Sequence, residues 1–494
     1  MTQGRSLFVG IDVGTTLTKA GVVDLKGTEL AHAAVPTIWQ REPTGGHARP
    51  DDLFAGAVAA ISEVLEKVPA GDVLGVGVTS LAETVVLVDR GGSAVGPAIA
   101  WYDGRAADDH AQLRSDFGAE RFGQATGLGT LQIPTIATLR WIMRNVADAR
   151  RATSVLSVAE WVVYRLGGDL AAEASLASRT GALSVATRQW WTEALDWAGV
   201  RHTIFPEVRW AGASFGRAHD LPRGLERLEG TALTVAGHDH PCASVGIGVS
   251  QQSQVMDDCG TAEALVRAVP MRPDLDLAAG LPLGIMVGCH VLPGHYSMMG
   301  GFPFGLELIH VLDQFGVASH HGLTDLDAPA LALGLLQASV TVGPTGVTVG
   351  STGVTVGPTG SSPIFTPERA GGKTSVEPER AWWGAVASAV AGSRLLLDAL
   401  ERLGGPIAEV RMSGGWSRNP LLMTLKSEVF PELSYPVVKE AGTRGAALLA
   451  SLTAGAYSDV VEFPETELEL ISPLSLGRGA TTQRRAPSTG ATSQ

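Results

Sequence analysis

Two segments about 245 residues apart carry the same local pattern, and that repetition constrains the fold more than any other feature of the chain. In the first, a strand-like run Ser6–Val13 ends in Gly14-Thr15-Thr16 and a second run resumes at Lys19–Asp24. In the second, Gln254–Asp258 ends in Cys259-Gly260-Thr261 and another run follows at Ala262–Val266. Each time a strand closes on an acidic residue and Gly-Thr, and the chain then returns. A hairpin of this kind at the head of each half implies two related α/β lobes.

The composition supports packed lobes. Of 494 residues, 45% are apolar and 18% charged, which excludes global disorder and leaves room for two or more domains. Glycine contributes 61 residues without a Gly-X-Y period, a sign of tight turns and of backbone brought close to a ligand. Lys and Arg number 37 against 50 Asp and Glu, a net charge of −13, which argues against nucleic acid or an anionic membrane as partner. Three cysteines without CxxC spacing speak against a zinc site or disulfide framework and suit a reducing, cytoplasmic setting. No charged-then-apolar leader pattern opens the chain. The uncharged stretches 277–306 and 328–367 are interrupted by Pro and Gly, so no membrane span is expected.

Further strands are expected at Glu29–Val35, Val73–Val78, Thr84–Val88 and Leu233–Ala236. A helix capped by Asp51 or Asp52 should carry Phe54, Val58, Ile61, Val64 and Leu65 on one face. Helices are expected near 135–146 and 157–166, and a helix-like Pro241–Gly248 follows the Leu233–Ala236 strand. Later come a long helix from Glu379 to Leu403, a strand Glu409–Met412, a helix at 418–429, a strand Tyr435–Val438 and a small-residue helix at 441–454. Residues 340–360 are three tandem heptads, VTVGPTG, VTVGSTG and VTVGPTG, too short for a solenoid and read as a low-complexity surface loop or hairpin. The polar tail 475–494 is expected to be disordered.

Five constellations carry chemistry. In GIDVGTTLTKA (Gly10–Ala20) a Gly-Thr-Thr tip offers N–H groups and hydroxyls to an anion, Asp12 offers a carboxylate to Mg²⁺, and Lys19 adds positive charge. No GxxxxGK[ST] motif is present, so this is not a Walker A loop. DDCGTAE (Asp257–Glu263) repeats the hairpin logic. Two facing phosphate hairpins suit a nucleotide held between two lobes, although each alone reads equally as an ordinary turn. In AGHDHPCASVG (Ala236–Gly246), Asp239 stands between strand and helix, placed to serve as a general base or as a helix cap. His238 and His240 are expected to point away from it on an extended backbone. AWYDGR (Ala100–Arg105), with Glu83 upstream, combines an aromatic face, carboxylates and a guanidinium suited to a polyol; an internal Asp–Arg pair is the bland alternative. In MSGGWSRNPLLM, Gly414-Gly415 would let a flat adenine and its ribose lie against backbone, with Asn419 able to hydrogen bond.

Taken in order, these pieces, with SLASRTGALSV (175–185) and EAGTRGAALLA (440–450), resemble the FGGY carbohydrate kinases over residues 6 to 456. The resemblance implies two actin-like ATPase lobes with ribonuclease-H-like cores and an interlobe cleft. The N-terminal lobe, 1–247, would bind sugar, and the C-terminal lobe, 248–470, would bind ATP and Mg²⁺. It implies ATP-dependent phosphorylation of a sugar or polyol hydroxyl, a ketose being favoured. Asp239 would be the catalytic base and Asp12 the metal-organising residue. Thr15, Thr16, Lys19, Gly260 and Thr261 would hold phosphate, and Gly414, Gly415 and Asn419 the adenosine. Glu83, Trp101, Asp103, Arg105, His238 and Asp239 fall where the family meets its acceptor. The implied partner is a small sugar or polyol, with neither nucleic acid nor membrane, and the sequence leaves room for a homodimer.

The chain also departs from its relatives' patterns. Glycerol kinases carry Arg-Glu where this chain has Ala82-Glu83, and xylulokinases carry Gln-Met-His. A GERTP-like loop is missing near 357–364, and Arg444 replaces a small residue beside the nucleotide helix. The alternatives are a non-catalytic sugar- or nucleotide-binding regulator on the same fold, or a kinase for a sugar acid or tetritol.

Overall fold

A computed structural model describes residues 6–68, 71–130, 134–319, 322–331 and 377–470, short strands within 340–374, and Gln483–Arg485. Eight apolar-rich residues form β1 (Ser6–Val13), in which Leu7, Phe8, Val9, Ile11 and Val13 are all buried. A strand covered on both faces has no need of polar alternation. It turns into β2 (Leu17–Asp24), which pairs antiparallel with β1 and with β3 (Glu29–Pro36). The helix α1 (Pro50–Glu66) starts with Pro at its first position and packs Leu53, Phe54, Ala57, Ile61 and Val64 inward. Asp51 and Asp52 lie in its first turn rather than at the cap, which is Arg49; there they face the positive end of the helix dipole. Next come β4 (Asp72–Ser80), α2 (Val158–Arg165), α3 (Ala174–Ser178), β5 (Ala232–His238) and α4 (Asp239–Gly246). The first sheet runs β5-β4-β1-β2-β3, with β1, β4 and β5 mutually parallel. Helices Ala107–Phe117, Ala119–Thr126, Thr135–Asn145 and Thr192–Ala198 fill the long insertion before β5.

The second half repeats this plan. Its strands are β6 (Gln254–Cys259), β7 (Glu263–Pro270), β8 (Ile285–Cys289) and β9 (His295–Phe302). They are followed by α5 (Phe304–Phe315), α6 (Pro378–Gly404), β10 (Glu409–Ser413), α7 (Pro420–Val429), β11 (Glu432–Pro436) and α8 (Ala441–Thr453). Within the larger sheet the order β9-β7-β6-β10-β11 reproduces β3-β2-β1-β4-β5, and the pair directions match strand for strand. The hairpin repetition in the sequence therefore marks two copies of one fold.

Helices α4 and α8 follow the fifth strand of each copy and are exchanged between the lobes. Ala243 of α4 packs with Met256 and Val266 of the second sheet. In return α8 lies against the first sheet so closely that a Cβ at Gly77 would sit 2.1 Å from Ala446 O, and one at Gly10 would sit 1.8 Å from Thr443 O. The outer edge of the second sheet is covered by the first half: Val287 N donates to Gly127 O at 3.0 Å and Cys289 N to Ser178 Oγ at 3.1 Å. That removes an exposed strand edge.

Among the described residues no helix is long and apolar enough to cross a membrane. The heptads contribute the antiparallel strands Val340–Gly343, Gly346–Val349 and Val354–Val356. The segment 357–364 lies outside the described residues. So does the tail 475–494, expected to be disordered, save Gln483–Arg485, which pairs with Leu468–Leu470.

Candidate active site

The β1–β2 hairpin closes through Gly14 N donating to Leu17 O at 3.1 Å, and the β6–β7 hairpin through Gly260 N donating to Ala262 O at 3.1 Å. Strand alternation then decides what each carboxylate does. Asp12 and Asp258 stand two residues before the glycine of their hairpins, and both line one cavity of about 580 Å³ between the sheets. Asp257, one residue earlier, points the other way, into the core. There Lys426 Nζ, fully buried, bonds Asp257 Oδ2 at 2.5 Å and also Glu263, to which Ser393 Oγ donates. Asp257, Cys259 and Glu263 sit close enough to ligate a metal, but the Lys426 ammonium already supplies the cation.

Asp239, Lys19, His240, Gly414, Gly415 and Glu440 complete the part of the wall that bears on chemistry. Lys19 Nζ contacts Glu440 Oε2 at 2.7 Å; burial works against its charge, but Glu440, Asp12 and Asp258 outweigh it and raise its pKa. Desolvation, reinforced by the charges of Asp239 and Glu440, pushes Asp12 up to about 7 against Lys19 and His240. Asp258 is raised by burial and by its acidic neighbours Asp257 and Asp239. Asp239 moves the opposite way: desolvation opposes its charge, but His240 and His238 together hold it well below the usual carboxylate range. One cavity thus gathers an ionised carboxylate, Asp239, and two carboxylates, Asp12 and Asp258, whose charge is disfavoured by burial and by their acidic neighbours.

Asp12 Oδ1 is cut off from solvent and has no hydrogen-bond donor. A lone carboxylate oxygen facing a polar cavity, with further carboxylates beside it, fits a hard divalent cation such as Mg²⁺.

Several expectations need correction. His238 does not point away: its Nε2 lies 3.1 Å from Asp239 Oδ1, because, although His238 itself is extended, the chain turns at Gly237 (φ 88°) just before it and enters α4 at Asp239 just after it. Asp239 is not a cap either; its Oδ1 accepts the His240 N–H at 2.7 Å. Asn419 is fully buried and caps α7, accepting from Leu422 N, while its amide donates to Gly322 O and Asp327 Oδ1; both of its donors are spent within the protein and its side chain is closed off from the cavity. Asp103 is likewise committed: Arg105 holds it through Nε and Nη2, both at 2.8 Å, and Gly46 N donates to it at 2.7 Å. That is the internal Asp–Arg pair. Arg444 turns away from the cavity, donating to Gly27 O, Gly246 O and Thr466 Oγ1.

Of the residues singled out in the sequence, Asp12, Lys19, Asp239, Gly414 and Gly415 meet at this cavity. Thr15, Thr16, Gly260 and Thr261 sit at the hairpin tips, outside its lining. Thr15 is gripped from two sides: Trp39 Nε1 donates to its carbonyl at 2.6 Å and Trp101 Nε1 to its hydroxyl at 3.0 Å. Glu83, Trp101, Asp103, Arg105 and the buried ring of His238 also lie off the cavity wall. Glu83 adopts φ 62°, a strained conformation for a side chain of its size, and pairs with Arg179 Nε at 2.6 Å. Its neighbour Ala82 supplies no guanidinium, but the fold brings one from 96 residues away.

His240, expected to point away, lies on the cavity wall with Nδ1 3.6 Å from Asp258 Oδ2, and Asp258, Glu440 and Arg179 join the site without having carried a functional assignment in the sequence. For Asp258 a signal was present, since Asp-x-Gly-Thr occurs in both hairpins. For Arg179 there was none, because its pairing depends wholly on tertiary packing.

Residues 7–246 match the N-terminal domain of the FGGY family of carbohydrate kinases, and residues 290–454 match its C-terminal domain. A glycerol kinase from Polaromonas naphthalenivorans is 28% identical over 511 residues, covering 96% of each chain. An autoinducer-2 kinase from Enterobacter sp. is 26% identical, covering 92% of this chain and 87% of that one. Among solved structures, Plasmodium falciparum glycerol kinase with ADP superposes with a TM-score of 0.79 at 16% identity, covering 92% and 91% of the two chains.

Proposed function

This chain belongs to the FGGY family of carbohydrate kinases, and from that premise we propose that it transfers the γ-phosphoryl group of ATP to a hydroxyl of an uncharged polyol or ketose. The observation that carries the reading is the single cavity into which the two lobes direct Asp12, Asp239 and Asp258 beside the Gly414-Gly415 turn. Asp239 takes the proton of the attacking hydroxyl as the new O–P bond forms and the bond to the β-phosphate oxygen breaks, releasing ADP. Phosphoryl transfer of this kind depends mainly on placement and charge stabilisation. The hairpin tips at Thr15, Thr16 and Thr261 offer N–H groups and hydroxyls to the phosphates, Gly260 lets the backbone approach without a side chain in the way, and Lys19 adds charge. Gly414 and Gly415 give the adenosine a backbone surface free of side chains. Mg²⁺ bound at Asp12 would neutralise phosphate charge.

Charge favours an uncharged acceptor over a sugar acid. The two guanidiniums beside the acceptor-facing residues, Arg105 and Arg179, are each neutralised by a carboxylate. Trp101, 43% exposed, offers an apolar platform.

The test is ADP release over a panel of glycerol, erythritol, D-ribulose, D-xylulose, D-fructose and D-gluconate. Turnover with a polyol or ketose supports the reading, and turnover confined to gluconate overturns the choice of acceptor. With the best acceptor, Asp239→Asn should lower kcat by 10²–10⁴-fold with ATP binding retained. Asp12→Asn should also raise the Mg²⁺ concentration needed for half-maximal rate.

A further inference from the structure

The corner that presents Asp239 is a single peptide unit held on both sides. Gly237 O accepts from Thr79 Oγ1 at 2.6 Å. The next N–H, that of His238, donates to Ser175 Oγ at 2.9 Å. Ser175 is itself bound by Glu173, whose Oε2 accepts the Ser175 hydroxyl at 2.6 Å, Ser175 N at 2.9 Å and Leu176 N at 3.0 Å. A serine hydroxyl has one proton. With that proton committed to Glu173, the oxygen turns its lone pairs to the His238 N–H, so the chain of bonds runs in one direction.

Behind Glu173 the support continues. Its own N–H donates to Glu160 Oε1 at 2.7 Å, and Glu160 Oε2 accepts Ser157 N at 2.6 Å in the capping box that starts α2. Both glutamates are buried, and neither lines the active-site cavity. The fit against the corner is close: a Cβ at position 237 would lie 2.4 Å from Ser175 Oγ and 2.9 Å from Glu173 Oε2.

We propose that Glu173, acting through the Ser175 hydroxyl, is a positioning residue for phosphoryl transfer: it fixes the Gly237–His238 peptide and thereby the direction of the Asp239 carboxylate. The proposal rests on the reading of Asp239 as the base. A shift of about 1 Å at such a group costs on the order of 10²-fold in rate. The competing account is that Glu173 only caps the short helix α3 through Ser175 N and Leu176 N. Ser175→Ala separates the two, because it leaves both capping bonds intact and removes only the hydroxyl that joins Glu173 to His238 N–H.

The experiment measures kcat, KM for ATP and melting temperature of Ser175→Ala, Glu173→Ala, Glu173→Gln, Ser178→Ala and Asp239→Asn, by ADP release with the best acceptor of the panel. Ser178 is the control: it lies on the same helix, and its hydroxyl meets Ser175 O and Cys289 N instead of the corner. Expected are a 10- to 100-fold loss of kcat in Ser175→Ala and Glu173→Ala with KM for ATP within twofold. Recovery of most of that loss is expected in Glu173→Gln, whose amide oxygen still accepts the three donors, and an unchanged kcat in Ser178→Ala. If Ser175→Ala keeps its kcat while Asp239→Asn loses it, or if Ser175→Ala and Ser178→Ala lose kcat equally, the positioning role is overturned and the base stands. A normal kcat in Asp239→Asn instead removes the base reading, and the positioning role with it.

Discussion

His290 shows how much one buried side chain can add to the pH behaviour of the molecule. Its Nδ1 accepts from Leu292 N at 3.1 Å and its Nε2 meets Ser244 Oγ at 3.3 Å, so its place is made for a neutral ring. Burial, with His295 and His238 nearby, pushes its pKa down to about 3. In the unfolded chain a histidine titrates near 6.5. Between those values the unfolded chain holds a proton that the folded chain does not, so stability rises with pH and is lost as pH falls. His290→Asn should therefore flatten the acid limb of a stability–pH curve by up to about 1.4 kcal/mol per pH unit between pH 3 and 6.5. Urea unfolding across that range measures the slope separately from any uniform destabilisation; an unchanged slope would show that the ring titrates normally. At the same scale, the contrast between Asp257 and Asp258 is strand alternation at work, one carboxylate turned to Lys426 and the next to the cavity.

At the scale of elements, the contact between α8 and the first sheet depends on missing side chains. At Gly77 an added Cβ would lie 2.1 Å from a backbone carbonyl, which cannot rotate away as a flexible side chain could. Gly77→Ala should cost about 3 kcal/mol or more through overpacking and backbone displacement. Gly199 provides the comparison: it has φ 72° but nothing within 4 Å of the added atom. Gly199→Ala should cost only the strain of its conformation, about 1 kcal/mol. Calorimetric melting of the two variants distinguishes close approach from conformational strain; equal losses would refute the account of the α8 contact. The same approach places Glu440, just before α8, at the cavity, so loosening this packing should reach the active site.

For the whole molecule, the exchanged helices join the two copies. A Cβ at Gly445 would sit 2.1 Å from Cys242 O, and one at Gly246 would sit 1.9 Å from Ala441 O, so α4 and α8 cross backbone to backbone. The residues proposed to face the acceptor belong to the first copy, while Gly414, Gly415 and the β6–β7 hairpin proposed to meet phosphate belong to the other. Binding both substrates should therefore draw the copies together and exclude water from the reacting centre. Small-angle scattering with a non-hydrolysable ATP analogue and the acceptor should give a smaller radius of gyration than with either alone. Unchanged dimensions in an active enzyme would mean that closure is not part of the cycle.

What the sequence determined by itself is local in origin. Apolar runs bounded by glycine and turn residues marked all five strands of the first sheet and β6, β7, β10 and β11 of the second within a few residues, because burial on both faces writes itself into consecutive positions; β8, β9 and the strands Leu468–Leu470 and Gln483–Arg485 were not legible in this way. The doubled Gly-Thr hairpin announced the doubled fold, and Asp12, Lys19, Asp239, Gly414 and Gly415 stood in motifs that converge in the structure. What only the tertiary structure decided is pairing between distant residues. Arg179 reaches Glu83, Lys426 reaches Asp257, and Glu173 reaches the Gly237–His238 corner beside Asp239 through Ser175, across separations that no periodicity encodes. The same holds for Asn419 and Asp103: their residue types suit ligand contacts, but burial left their polar groups to be satisfied by the protein itself, as a low-dielectric interior requires.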